Sequence, residues 1–452
     1  MMSCASFGRP TLWQSRLPPN IRTSHLIPQK STIPPRSQLL RPRNLHQTTP
    51  PSSRSHSQPR TLHRLKFRIL RITASTTRST PSCCSPFPAA ARGGPAEPIL
   101  TLTDVYDDQG AKAAAIQQAG QIVFHSVGDT GSVKSPSTQN SVADKMVADF
   151  SETDAANVPS FFFHLGDVVY SFGEAKYYYD QFYEPFREYA APILAIPGNH
   201  DGVVYTGDTA PTLDAFLRNF CSETPVVTPE AGGLVRTAMT APGVYFTFDA
   251  PFVRILGVYS NVLEDPGVIS SEGGTRANVT DVQLTFLKTA LARCKSEKYS
   301  GAVIVAVHHP PYTGGSIHFP SPNLSADLDS AAQAAGFWPH AVLSGHSHNY
   351  QRFTRTVNGM SIPYVVAGCG GHSPLAAMQK DANGNVIRTP FSIDSELTLN
   401  SYDDTDYGYL RIVVNAQTLR IEYHPASDGS TTKTPDDRIT VNLATQTVST
   451  TS

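Results

Sequence analysis

The 452-residue chain is poor in cysteine and, over its first 96 residues, has no acidic side chain at all. Its six cysteines are widely scattered, three in the acid-free stretch (Cys4, Cys83, Cys84) and three beyond it (Cys221, Cys294, Cys369), with no C-x-x-C pair. That spacing excludes a disulfide framework and a zinc ribbon, and allows one disulfide at most in the body of the chain. No apolar run approaches the roughly 18 residues a membrane-spanning helix needs, so no membrane partner is expected. Of the 36 Lys and Arg, 15 precede Glu97, which leaves residues 97–452 with 37 acidic side chains against 21 basic, a net charge of about −16. A body so acidic is a poor binder of nucleic acid, which requires a basic surface. It suits a protein that collects multivalent cations.

What the first 96 residues do have is Pro, Ser, Thr and Arg. Their best apolar patch, Leu65 to Ile72, is broken by Lys66, Arg68 and Arg71. Such a segment cannot bury enough surface to offset chain entropy and is expected to be disordered. Its Arg-rich, Ser-rich composition fits an organelle transit peptide better than a secretory signal. A natural start downstream of it is the other reading. Residues 97–452 are expected to form one large α/β domain.

Within that body, short apolar runs end in polar turns. Strands are expected at Gln121–Val127, Ser160–Leu165, Ile193–Ile196, Ala302–Val307 and Ala341–Leu343, each too short and too apolar for anything but a buried strand. Helical spacing places helices near 141–156, 175–186, 211–220, 280–297 and 326–335. The first three strands with their intervening helices imply right-handed crossovers and a parallel sheet. Tyr245–Phe248 and Val253–Val258 read as an antiparallel pair. Strands Pro363–Ala367, Tyr409–Val414 and Leu419–His424 close the fold, with a polar tail after about 440. The 36-residue polar stretch 372–407 reads as a functional lid. In open α/β sheets ligands gather at the carboxyl ends of the strands. Here those ends carry Asp129, Asp167, Asn199, His308 and the pair His346/His348. Carboxylate, amide oxygen and imidazole are the donors of iron, manganese or zinc. Two metals about 3.5–4 Å apart can activate water and clamp phosphoryl oxygens together.

The sequence at those ends resembles the calcineurin-like metallophosphoesterases. Five blocks occur in order: GDTG at 128–131, GDVVY at 166–170, GNHD at 198–201, VAVH at 305–308 and GHSH at 345–348. Most members of that superfamily carry Asp-x-His in the first block; here Gly131 stands in place of the His, and Tyr170 follows Asp167 by three residues. That exchange resembles the purple acid phosphatases, in their small single-domain form. The resemblance implies a four-layer αββα sandwich of two mixed sheets. It further implies one metal, ferric iron, on Asp129, Asp167, Tyr170 and His348, and a second iron, zinc or manganese on Asp167, Asn199, His308 and His346. Phosphate monoesters would be hydrolysed by attack of a metal-held hydroxide on phosphorus, with His200 contacting phosphate and protonating the leaving group and His318 binding substrate. A phosphodiesterase or nucleotidase on the same fold, and an inactive metal-binding protein, are the alternatives. Two departures stand out: the body is too short ahead of the first block for the N-terminal β-sandwich expected of the plant enzymes, and the turn at 368–371 reads Gly-Cys-Gly-Gly where an acidic Gly-Asp-Gly-Gly is usual. His125 and His164 are expected to be core residues, and His309 and His372 to support the site.

Overall fold

A computed structural model describes residues 96–450 apart from 205–208, 262, 277 and 382. The expected leader therefore lies outside the described residues but for its last position. Ahead of the first block run strand β1 (Ile99–Thr101) and helices α1 (Leu102–Tyr106) and α2 (Ala111–Ala119). Thr101 and Asp104 close a capping box on α1: each side chain accepts from the other's backbone N–H, at 3.1 and 2.9 Å, which satisfies two donors the helix start would leave unpaired.

Strand β2 (Gln121–Val127) agrees with expectation residue for residue. Helix α3 (Ser137–Ala148) starts and stops earlier than its apolar spacing suggested, and residues 149–151 and 155–157 are 3-10 turns instead. The Asp154 carboxylate accepts from Ala156 N–H, a local bond that competes with helix continuation. After β3 (Phe162–His164), the expected helix over 175–186 is a 3-10 turn at 175–177 followed by a π-helical turn, Tyr179–Tyr183. Next come β4 (Ile193–Ala195) and the short helices α4 (Asn199–Gly202) and α5 (Asp214–Phe220). Strands β5 (Phe246–Ala250) and β6 (Val253–Val258) pair antiparallel.

Helix α6 (Val282–Ser296) is N-capped at Asp281 rather than Thr280. It leads to β7 (Ala302–Val307). Helix α7 (Pro322–Ala335) begins four residues before its expected start because Ser321 caps it and Pro322 fits the first helical position. Beyond β8 (Ala341–Ser344) comes a hairpin, β9 (Tyr350–Val357) and β10 (Met360–Ala367), whose first arm the sequence reading lacked. Its turn, Asn358-Gly359, has φ of 52° and 79°, the two positive angles a tight hairpin requires. The stretch 372–407 is no unstructured lid: β11 (Phe391–Ser392) and β12 (Leu397–Asp403) extend the sheet from β9. Strands β13 (Gly408–Asn415) and β14 (Thr418–Pro425) follow. The polar stretch after about 440 carries structure too, since β15 (Asp437–Asn442) and β16 (Val448–Thr450) complete the edge beside β14.

These strands form two mixed sheets, nine-stranded in the order β1-β5-β6-β7-β8-β10-β9-β12-β11 and seven-stranded in the order β16-β15-β14-β13-β2-β3-β4. Side chains alternate across each strand. Ala302, Ile304 and Ala306 of β7 join Phe124, Phe161, Phe163 and Ala367 in the core between the sheets, while Val303, Val305 and Val307 face outward against Phe286 of α6 and Leu324 of α7. Burying each of the larger of these side chains contributes roughly 1.5–3 kcal/mol. The result is the four-layer sandwich, with its parallel strands β2-β3-β4 and β6-β7-β8-β10 running to ends that carry the five blocks.

Candidate metal centre

The turns after β2, β3 and β8 put Asp129, Asp167 and His346 in the left-handed region, with φ of 56°, 54° and 65°. For a residue with a β-carbon that conformation costs roughly 1–3 kcal/mol and persists only where the surroundings fix it. Here they do. The Asp129 Oδ2 accepts from His346 N–H at 2.8 Å, tying the seven-stranded sheet to the nine-stranded one. Asp201, the last residue of GNHD, accepts from Val168 N–H, Val169 N–H and Gly198 N–H at 2.9–3.2 Å. That carboxylate therefore locks the turn after β3 to the turn after β4. Burial and the nearby Asp167 charge push its pKa up to about 7 against the pull of those three amides.

Two clusters result. In the first, Tyr170 hydroxyl donates to Asp129 Oδ1 at 3.0 Å and lies 3.3 Å from His348 Nε2, which is itself 3.4 Å from Asp129 Oδ1. In the second, His308 Nε2 and His346 Nδ1 converge on Asn199 Oδ1 at 3.0 and 3.1 Å, and His308 Nε2 lies 3.4 Å from Asp167 Oδ2. Ligand atoms of Asp167, His308 and His346 all lie within 4.8 Å of one another. All seven residues expected to hold metal are buried. Asp167 stands between the clusters, for its charge acts on both Tyr170 and His308.

The electrostatics of this donor set fit cations. Burial would raise the Asp167 pKa, yet His308 and His200 hold it well below the usual carboxylate range. Burial, followed by the charges of Asp129 and Asp167, pushes the Tyr170 phenol well above 10, so it would ionise only with a strongly charged cation beside it. Burial and four neighbouring histidines hold His346 well below 6.5, in the neutral form that can donate a lone pair. Two buried atoms in the clusters, Asp167 Oδ2 and His346 Nε2, have no hydrogen bond among the described residues. Buried polar atoms are rarely left so.

Around the clusters the remaining expected residues divide. His200 N–H donates to Asp167 Oδ1 at 2.8 Å, and its Nδ1 lies 2.8 Å from Ser171 carbonyl oxygen. His318 is buried rather than exposed on its loop; its ring lies 4.3 Å from that of His346 and 4.9 Å from that of His348, and neither ring nitrogen has a hydrogen bond among the described residues. His309 turns away from Asn199, toward Ser260 Oγ at 2.8 Å and Leu263 carbonyl oxygen at 2.8 Å. His372 stacks on Tyr170 with ring centroids 3.8 Å apart. Inside the strands, His125 bonds to Asp149 at 2.9 Å and His164 to Thr130 at 2.8 Å. Cys221, Cys294 and Cys369 are free, and Cys369 is buried in the core between the sheets.

Sequence reasoning missed Gln181 and Asp265. Gln181 accepts from Tyr170 N–H at 2.9 Å and donates to Tyr170 carbonyl oxygen at 2.8 Å, holding that residue's backbone from both sides. Asp265 Oδ1 lies 3.4 Å from His346 Nε2. Neither belongs to a block, so only tertiary folding reveals them.

No curated protein matches the chain. Among solved structures it is similar to the purple acid phosphatase PPD1 of yellow lupin seeds (18% identity, 71% of this chain and 54% of that one, TM-score 0.48). It is also similar to GAP50, the anchor in the inner membrane complex of Plasmodium (13%, 71% and 89%, 0.46), and to a dimetal phosphatase from Danio rerio (8%, 71% and 99%, 0.41). The chain thus spans about half the length of the lupin protein. Residues 127–350, which contain all five blocks, match the calcineurin-like phosphoesterase family. With that match, and with a buried donor set suited to metal at the strand ends, residues 127–350 of the chain belong to the calcineurin-like phosphoesterases.

Proposed function

We propose that this protein is a phosphomonoesterase of the purple acid phosphatase type, acting on a small phosphorylated substrate. In this reading Asp129, Asp167, Tyr170 and His348 hold ferric iron, and Asp167, Asn199, His308 and His346 hold a second iron, zinc or manganese. The observation that carries it is the Tyr170 hydroxyl, 3.0 Å from Asp129 and 3.3 Å from His348, where a superfamily histidine would otherwise be needed. When bound, the two metals supply Lewis acidity toward the phosphoryl oxygens and lower the pKa of water.

The rest is the work of the chain. Because a carbonyl oxygen can only accept, the contact with Ser171 keeps a proton on His200 Nδ1, and the ring can protonate the leaving oxygen only from Nε2 of its doubly protonated form, returning to the neutral Nδ1–H tautomer as it does so. His200 N–H meanwhile fixes Asp167 Oδ1. His318, whose Nδ1 lies 3.6 Å from Glu264 Oε1 and whose ring nitrogens have no hydrogen bond among the described residues, supplies a contact for a phosphoryl oxygen. Burial, then His348, lowers its pKa to about 4, so near neutrality it meets phosphate as a neutral donor. His372, packed on Tyr170, shields the phenol from water.

The test is metal quantitation with a visible spectrum on the purified chain, followed by turnover of an aryl phosphate monoester against the bis-aryl diester. Two metals, a charge-transfer band and monoester preference are expected. Diester preference would overturn the monoesterase reading. A fully metallated preparation that binds phosphate and turns over neither ester would establish an inactive protein.

A further inference from the structure

An imidazole can offer one nitrogen to a metal only when the other keeps the proton, and an acceptor beside that second nitrogen decides which is which. His308 and His346 both turn a nitrogen toward Asn199 Oδ1. For His308 the second nitrogen, Nδ1, lies 2.9 Å from the carbonyl oxygen of Leu165, which can only accept. Its proton therefore sits on Nδ1 and its lone pair on Nε2, toward Asn199. For His346 the second nitrogen is Nε2, buried and without a hydrogen bond among the described residues. Facing it at 3.4 Å is Asp265 Oδ1.

We infer that Asp265 is the positioning residue for His346: it accepts the Nε2 proton and so directs the Nδ1 lone pair into the second cluster. Its place is fixed from two sides. Phe319 N–H donates to Asp265 Oδ1 at 3.2 Å. His309 Nε2 lies 2.8 Å from the carbonyl oxygen of Leu263 and 3.2 Å from that of Glu264, which anchors the loop just before Asp265. His309 also lies against His346, with ring centroids 4.2 Å apart. The pair of histidine ligands is thus oriented by unlike acceptors, a neutral carbonyl for His308 and a carboxylate for His346. A carboxylate makes its imidazole the stronger electron donor of the two.

A rival arrangement uses the same atoms. Asp265, His318 and His346 place ligand atoms within 4.8 Å of one another and so make a second candidate group for a cation. That group needs the His346 lone pair on Nε2, which puts the proton on Nδ1 and removes His346 from the second cluster. A neutral imidazole cannot serve both. The shared Asn199 contact and the match to His308 favour the positioning role.

This inference rests on the proposed dinuclear centre, and its experiment separates the two. The full chain and its Asp265→Asn and Asp265→Ala variants are loaded with metal. Each equivalent is counted, its release to a chelator is timed, and the metal-stripped proteins are melted. The inference expects two equivalents in the wild type. In Asp265→Ala one of them leaves about 10–100-fold faster while the other keeps its wild-type rate. Asp265→Asn, whose side-chain oxygen still accepts but lacks the charge, falls between. Melting of the stripped proteins is unchanged. Two equivalents released at wild-type rates from both variants would overturn the inference and leave the dinuclear centre standing. So would a third equivalent in the wild type that the variants lose, or a lowered melting point of stripped Asp265→Ala. A wild type that binds no metal would overturn both.

Discussion

Gly198 offers the most direct test of how closely the turns must approach. Its backbone, at φ −94° and ψ −170°, is one any residue can adopt, so alanine there meets no conformational penalty. The obstacle is space. A β-carbon on Gly198 would lie 2.1 Å from Asp167 Oδ1, 2.4 Å from Asp167 N and 2.8 Å from Asp167 Cγ. Ordinary carbon contacts begin near 3.4 Å, so the carboxylate must retreat by about 1 Å and the backbone with it. Neither can retreat freely, because Gly198 N–H is bonded to the same Asp201 that holds Val168 and Val169. Overpacking of this kind costs about 1–3 kcal/mol. Misplacing a reacting group by about 1 Å costs on the order of 100-fold in rate. Gly198→Ala should therefore melt lower when stripped of metal, retain less metal and hydrolyse about 100-fold more slowly. Gly233→Ala, where a β-carbon meets nothing within 4 Å, is the control. Melting, metal content and turnover all at wild-type levels in Gly198→Ala would refute the argument that this glycine sets the position of Asp167.

Three further outcomes are expected. Tyr170→Phe should abolish the visible charge-transfer band of the iron-loaded protein; a band that survives means Tyr170 is not a ligand. His200→Ala should slow esters with poor leaving groups by about 100- to 10,000-fold and activated aryl esters far less, and equal losses on both would exclude proton donation. His340 is held by Val303 N–H, which donates to its Nδ1 at 2.9 Å, and by Leu443 carbonyl oxygen 3.1 Å from its Nε2, and burial lowers its pKa from 6.5 to about 4. Between those values the unfolded chain takes up the proton and the folded one does not, so this contribution is complete above pH 6.5 and is lost as pH falls to 4. It amounts to about 3 kcal/mol. Denaturant unfolding of the metal-stripped protein at pH 7 and pH 4.5 should show a smaller loss in His340→Gln than in the wild type, and equal losses would refute it.

The strands that carry the blocks were legible because they are buried on both faces, so that β7 reads as an unbroken apolar run and β2 as an apolar run interrupted only by His125 and Ser126 after its first residue. Strand β9 was not, because its polar residues are spent on individual partners that no local pattern announces. Gln351 accepts from Gly314 N–H, Arg352 pairs with Asp437, and Arg355 pairs with Asp329. Strands β12 and β15, each one place in from a sheet edge, alternate with polar residues in the same way, and so read as loop and tail. The turn at 175–183 failed for a different reason. Its aromatic residues have helical spacing, but a π-helical turn carries Gln181 to the backbone of Tyr170. The site residues were legible as types at strand ends, and their mutual distances were not.

Gly131 and Tyr170, which the sequence shows only as two separate departures from the superfamily pattern, are coupled in space. A β-carbon on residue 131 would lie 2.5 Å from Gln181 Oε1, 2.6 Å from Val168 carbonyl oxygen and 3.2 Å from Tyr170 Cδ2. The first of these atoms is the one that accepts from Tyr170 N–H. No imidazole at 131 fits while the tyrosine and its clamp are in place. Restoring histidine at 131 alone would therefore displace Tyr170 instead of adding a ligand to the cluster of Asp129 and His348. The exchange works only as a set: the tyrosine, the glycine that makes room for it, and the glutamine that holds it. Gln181 is thus as much a part of the tyrosine signature as Gly131, although it lies fifty residues further along the chain and outside all five blocks.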